Sequence, residues 1–178
     1  LRGIGVAELT QVDEDDDVAE VVRQLGQCVD DATLGEPFDD LLLVERLLAE
    51  KPAIVGVGVY IWNVEAATRL VAQLRRVAPT IRIVVGGPEV SHETEGQRIC
   101  ALADHVITGP GDLAFATLCR GLLEGPRPLA KVIAGGQPAL DELALPYALY
   151  TDEDIRHRHL YVEASRGCPF KCEFCLSS

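Results

Sequence analysis

The chain has no methionine and begins at Leu1, so it reads as a piece of a longer protein. Nowhere does it hold the roughly 18 consecutive apolar residues that a membrane span requires. No leader-like segment stands at its start, so no membrane is expected and the compartment reads as cytoplasm. Positive charge is scarce: 16 Lys and Arg stand against 28 Asp and Glu, a net charge of -12. That balance repels nucleic-acid phosphates and anionic lipid. No long basic patch offsets it, so no nucleic-acid partner is expected. Alternation of apolar and polar residues is weak, which speaks against a sheet with one wet face. A disulfide scaffold is excluded as well. Of six cysteines, three bunch near the end, while Cys28, Cys100 and Cys119 fall in expected helices as small core residues. Clustered thiols point to metal in a reducing compartment.

What is present reads as an α/β domain. Helices are expected over 18–29 and 41–49, and residues 4–9 form a short strand or a frayed remnant. Residues 54–60 are an apolar, β-branched run, the signature of a strand covered on both faces. Asn63 stands where it can cap the next helix, and apolar residues then recur at spacings of three and four through 64–78. Strands follow at 81–85, 105–107 and 131–133, separated by helices at 93–103 and 113–124. The alternation predicts a doubly wound parallel sheet with helices on both faces, Rossmann-like or flavodoxin-like. Such sheets bind ligands beyond the carboxyl ends of their strands. The turns Gly86-Gly87 and Gly109-Pro110-Gly111 fall at those ends, where glycine lets a large ligand approach the backbone. This domain is expected over 1–136. A linker occupies 137–159, with no strand or helix of useful length over 138–147, and 160–178 opens a second domain with a strand.

That strand delivers Cys168, Cys172 and Cys175 in the pattern CxxxCxxC. Three thiolates on one loop suit a cubane iron–sulfur cluster, one sulfur to each of three irons, with the fourth iron left open. Zinc is a second reading, though a structural zinc wants a fourth ligand, and His157 and His159 have no diagnostic spacing. Inert thiols are a third. Phe170 and Phe174 would lower the dielectric beside a cluster or simply pack.

The run Glu163-Ala164-Ser165-Arg166-Gly167-Cys168-Pro169-Phe170-Lys171-Cys172-Glu173-Phe174-Cys175 resembles the cluster loop of radical S-adenosylmethionine enzymes. Tyr60-Ile61-Trp62-Asn63, followed by Gly86-Gly87-Pro88-Glu89-Val90-Ser91, is similar to the cobalamin-binding domain fused to one subgroup of them. The resemblance implies an enzyme in which Cys168, Cys172 and Cys175 hold a [4Fe–4S] cluster. The open iron would bind S-adenosylmethionine, and one electron would cleave it to a 5′-deoxyadenosyl radical. Cobalamin would lie against Gly58, Tyr60, Trp62, Gly86, Gly87, Gly109 and Gly111, in service of methyl transfer to, or rearrangement of, an unactivated small-molecule substrate. An electron donor such as flavodoxin or ferredoxin is implied as a partner. The chain departs from relatives in three places. It has no Asp-x-His-x-x-Gly loop to ligate cobalt, and neither His92 nor His105 has that setting. Gly58 stands where many such domains carry a strand-end serine, and Gly109-Pro110-Gly111-Asp112 replaces a Gly-Glu-Gly-Glu turn. An alternative is a domain that keeps the fold without cobalamin and guides substrate for the radical barrel.

Overall fold

β-Branched residues with glycines between them build the centre of the sheet. In a computed structural model, which describes residues 6–9, 40–125, 129–139, 147, 150–157, 160, 170 and 173, β2 (Ile54–Gly58), β3 (Arg82–Gly86), β4 (His105–Thr108) and β5 (Val132–Ala134) pair in that order, all parallel. Register places Gly58 opposite Gly86 and Thr108 opposite Ala134, so the strands end together at one edge. A fifth strand, β1 (Val6–Leu9), lies on the outer side of β2 and runs antiparallel to it, Val6 facing Val57 and Leu9 facing Ile54. The short strand expected near the start is therefore real, and it departs from the otherwise parallel sheet.

Successive strand residues point to opposite faces, and each face has its own core. Val55, Val57, Ile83, Val85 and Val106 face one way. There they meet Leu43, Val44 and Leu47 of α1 (Asp40–Ala49), Ala67, Leu70, Val71 and Leu74 of α2 (Val64–Val77), and Ile99 and Cys100 of α3 (Arg98–Leu102). Ile54, Val84 and Ile107 face the other way, against Leu118 and Cys119 of α4 (Asp112–Glu124). Each fully buried Leu, Ile or Val contributes about 1.5–3 kcal/mol relative to exposure. The doubly wound reading thus holds, with helices on both faces. Because α4 covers the face opposite α2 and α3, the β4–α4–β5 crossover turns in the opposite sense from the two before it. Parallel crossovers of one sheet normally share a right hand.

Two expectations are corrected. The strand over 54–60 ends at Gly58: the Val59 N–H closes the ladder on the Gly86 carbonyl, and the Val59 carbonyl already accepts from Glu89 in the next loop. The single helix over 93–103 is broken into a 3₁₀ turn at Thr94–Gly96 and the short α3, with a further 3₁₀ turn at Pro88–Val90 before it. Glu93 is left-handed (φ 50) and Gln97 extended, so no continuous ladder forms. The side chain of Gln97 instead donates to the carbonyls of Glu89 (2.7 Å) and His92 (2.9 Å). Beyond these, a short helix, α5 (Asp152–His157), falls within the stretch 137–159. Contact density divides the chain into Leu1–Ala144, which holds the sheet, and Leu145–Ser178, which holds α5. The helix expected over 18–29, and all but Leu160 of the strand expected over 160–165, lie outside the described residues. Among the described residues no helix is long and apolar enough to cross a membrane.

Candidate functional site

Parallel strands put all their carboxyl ends on one rim, and the loops there carry most of the residues singled out from sequence. Gly58 ends β2 and Gly86 ends β3, side by side in register. Tyr60 and Trp62 lie in the loop that follows β2, Gly87 in the loop that follows β3, and Gly109 and Gly111 in the loop that follows β4.

The loop after β2 presents an apolar surface. Tyr60, Ile61 and Trp62 are 37%, 76% and 56% exposed, beside a Val59 that is fully buried. The rings of Tyr60 and Trp62 stack with centroids 4.7 Å apart and planes 11° from parallel. Bulky apolar side chains held out in water at a strand-end rim are the feature least explained by packing.

Asn63 does not cap α2 with its side chain, contrary to the expectation; no side-chain cap bond forms. It turns back instead. Its Oδ1 accepts from the Tyr60 N–H at 2.8 Å, and its Nδ2 donates to the Gly58 carbonyl at 3.0 Å. The residue is 4% exposed.

The loop after β3 is laced to its neighbours on both sides. Val59 N–H donates to the Gly86 carbonyl at 2.7 Å, and Glu89 N–H donates to the Val59 carbonyl at 3.3 Å. Gly87 has φ 113, and a Cβ there would stand 2.6 Å from the Val59 oxygen. The room that a side chain would take at Gly87 is thus filled by the protein's own backbone. On the other side, the Ser91 hydroxyl donates to the Gly87 carbonyl at 2.8 Å and accepts from the Gly109 N–H at 2.9 Å. Gly109 is left-handed, φ 72. From sequence Asn63 reads as a helix cap and Ser91 as part of the turn that resembles the cobalamin-binding one, not as ties between rim loops. An Asx- or Ser-turn is the local signal that both leave, but helix starts use the same residue types.

The histidines and the two described cysteines stand apart from the aromatic pair. His105 sits at the opposite end of β4, 7% exposed, with Nδ1 2.9 Å from the Ala130 carbonyl. His92 is exposed in the loop after β3. Burial pushes the Cys119 thiol up to about 12. Burial likewise raises the Cys100 thiol, against a smaller opposing pull from Lys131. Both are buried core residues, as expected, and neither offers a thiolate. Beside the rim a groove of about 530 Å³ opens between α2 and the 3₁₀ turns, lined in part by Glu65, Arg69, Glu89, Glu93 and Arg98. Its walls are charged where the rim is apolar.

Cys168, Cys172 and Cys175 lie outside the described residues. Of their loop, Phe170 is described and is 70% exposed. Among the described residues no group of three His, Cys, Asp or Glu is placed to hold a metal ion.

The family described as "B12 binding domain" matches residues 16–119. A curated protein of Pyrococcus horikoshii, named an uncharacterized methyltransferase, is 28% identical over 153 residues, covering 71% of this chain. The chain spans 32% of that relative's length. No solved structure matches.

Proposed function

The chain belongs to the B12-binding domain family, and from that premise we propose that it holds cobalamin across the strand-end rim for methyl transfer by a radical S-adenosylmethionine enzyme. The observation that carries the reading is the exposed, stacked Tyr60–Trp62 pair beside Gly58 and Gly86. A corrin is broad, planar and largely apolar at its face. It needs a ledge without projecting side chains, with apolar surface next to it. The rim fits: Gly58 and Gly86 lie level, and a Cβ at Gly111 would meet nothing nearer than 3.9 Å.

In this reading Tyr60, Ile61 and Trp62 cover the apolar face and exclude water from it, while Gly86, Gly109 and Gly111 allow close backbone approach. Gly87 serves indirectly, by keeping the β3 loop against Val59. Cys168, Cys172 and Cys175 would supply three thiolates to a [4Fe–4S] cluster, a donor set that leaves one iron for S-adenosylmethionine. When bound, cobalamin supplies a methyl carrier, and the cluster supplies the electron that opens S-adenosylmethionine. The name of the Pyrococcus relative supports the methyltransferase class.

A second reading, a fold that no longer binds cobalamin, draws on Gly87, whose lack of a side chain is already required by Val59. One experiment separates them. The chain is mixed with hydroxocobalamin and passed through gel filtration. Close to one equivalent of cobalt, read by visible absorbance, supports the proposal; no retained cobalt selects the second reading. For the cluster, full-length protein is reconstituted anaerobically. Cys172→Ala is expected to remove the broad iron–sulfur absorbance and leave cobalamin retention intact, and full iron content in that variant refutes the ligand assignment.

A further inference from the structure

A loop that exposes three large apolar side chains should collapse onto the protein unless something holds it out. In this chain the holding group is identifiable. After Gly58 the β2 ladder stops, which leaves the Gly58 carbonyl and the Tyr60 N–H in need of partners. Asn63 supplies both from one amide, accepting from Tyr60 N–H at 2.8 Å and donating to the Gly58 carbonyl at 3.0 Å. Only one orientation of the amide satisfies an N–H and a C=O together, so its assignment follows from the partners. Backbone bonds close the turn. Asn63 N–H and Val64 N–H both donate to the Tyr60 carbonyl, at 2.9 and 3.0 Å. The residues between, Ile61 and Trp62, are thereby forced outward, and Trp62 returns onto the Tyr60 ring.

We infer that Asn63 is the positioning residue of the cofactor platform, holding Tyr60 and Trp62 stacked and outward in the form that receives cobalamin. The inference rests on the proposed cobalamin site. Asn63 touches no ligand itself, being 4% exposed, and acts through the loop it ties. Asparagine is specifically required, because an ionised carboxylate has no proton for the Gly58 carbonyl, and alanine serves neither partner. A neutral carboxylic acid, by contrast, has one donor and one acceptor and reproduces the pattern.

The test compares wild type, N63A and N63D. Trp62 is the only tryptophan in the chain, so its emission and the near-ultraviolet circular dichroism report the platform before any cofactor is added. At neutral pH, N63D is expected to lose the stacked-pair dichroism, shift Trp62 emission to the red, and bind hydroxocobalamin about tenfold or more weakly. As the pH falls from about 7 to about 4 the carboxyl of N63D, buried like Asn63 and so pushed above the ordinary Asp value of about 3.9, takes up its proton. The wild-type signature and affinity are then expected to return, with wild type unchanged over the same range. A side chain that merely stabilised the fold would show no such recovery. Should N63A fail to fold, N63D alone decides. The inference is overturned if N63D keeps wild-type spectra, if its spectra change while its affinity stays within about twofold of wild type, or if acid restores neither. Wild type that retains no cobalamin overturns the cobalamin reading itself and the inference with it; wild type that binds beside an equally tight N63D overturns the inference alone.

Discussion

The two edges of the parallel sheet are held by different chemistry. At the amino-terminal edge, Asp104 gathers charges. It accepts from Arg75 Nη2 at 2.5 Å, from Arg82 Nη1 at 3.4 Å and from the Ile83 N–H at 2.7 Å. Arg75 continues to the carbonyl of Leu102 at 2.7 Å and reaches that of Ile81 at 3.4 Å. Helix α2, β3 and the start of β4 are thus locked by ions. The carboxyl-terminal edge is held by neutral groups: Asn63 within the β2 loop, Ser91 between the β3 and β4 loops, and backbone bonds through Val59. The difference separates stability from reception. A charge lock orders one edge, while at the other edge neutral side chains tie the loops that hold the aromatics exposed.

The sharpest way to break this comparison is at Gly87. G87A forces a Cβ into the Val59 carbonyl and a left-handed φ on a residue with a side chain. We expect a loss of about 3 kcal/mol or more in urea unfolding, together with loss of cobalamin retention. An unfolding midpoint equal to wild type would show that the β3 loop is not seated on Val59.

Next in size is D104A, which strands Arg75, Arg82 and the Ile83 N–H at once. Its cost is expected near 2–3 kcal/mol, below that of a fully buried pair because both arginines are partly exposed. Cobalamin affinity of the folded variant should stay within about twofold of wild type. A large affinity loss would end the separation of the two edges.

The same carboxyl gives a pH dependence of known sign. Burial by itself raises Asp104, but the Ile83 N–H and the Arg75 guanidinium, with Arg82 behind them, outweigh it and hold the group below the ordinary carboxylate value of 3.8. A depressed folded value means stabilisation that is complete above 3.8 and is lost as pH falls below it through the folded value. The stability gap between wild type and D104N, read from urea midpoints, should therefore be constant near neutrality and close in acid. A gap that widened in acid would reverse the assignment.

The smallest effect is expected at Ser91. S91A removes one hydroxyl from a half-exposed site where water can replace it, for about 1 kcal/mol of stability and about fivefold in cobalamin affinity, with S91T restoring both. An S91A that binds as wild type would leave the lacing of the rim to the backbone alone.

Some of this was legible beforehand. The apolar, β-branched runs at 54–60 and 81–85, and the apolar spacing of α2, announce a parallel sheet between helices, because strand and helix periods are written locally. The rim glycines stood out because they follow strands. Other features could not be read. An asparagine before a helix looks the same whether it caps or turns back, and only the positions of Gly58 and Tyr60 decide. The break at Glu93 and Gln97 depends on carbonyls that the loop happens to offer. Gly87 looked like room for a ligand, whereas the atom nearest its absent side chain belongs to Val59, 28 positions earlier.

By itself the amino-acid sequence determined the order of strands and helices, the strand ends on which a ligand would sit, and a thiol spacing suited to a cluster. Those properties follow from residue types at short range. Tertiary structure decided that α4 takes the opposite face from α2 and α3, that Gly87 makes room for Val59, and that Asn63 holds Tyr60 and Trp62 outward. Each of these depends on which distant atoms share one small volume, and a hydrogen bond or a collision exists only once the chain has brought them there.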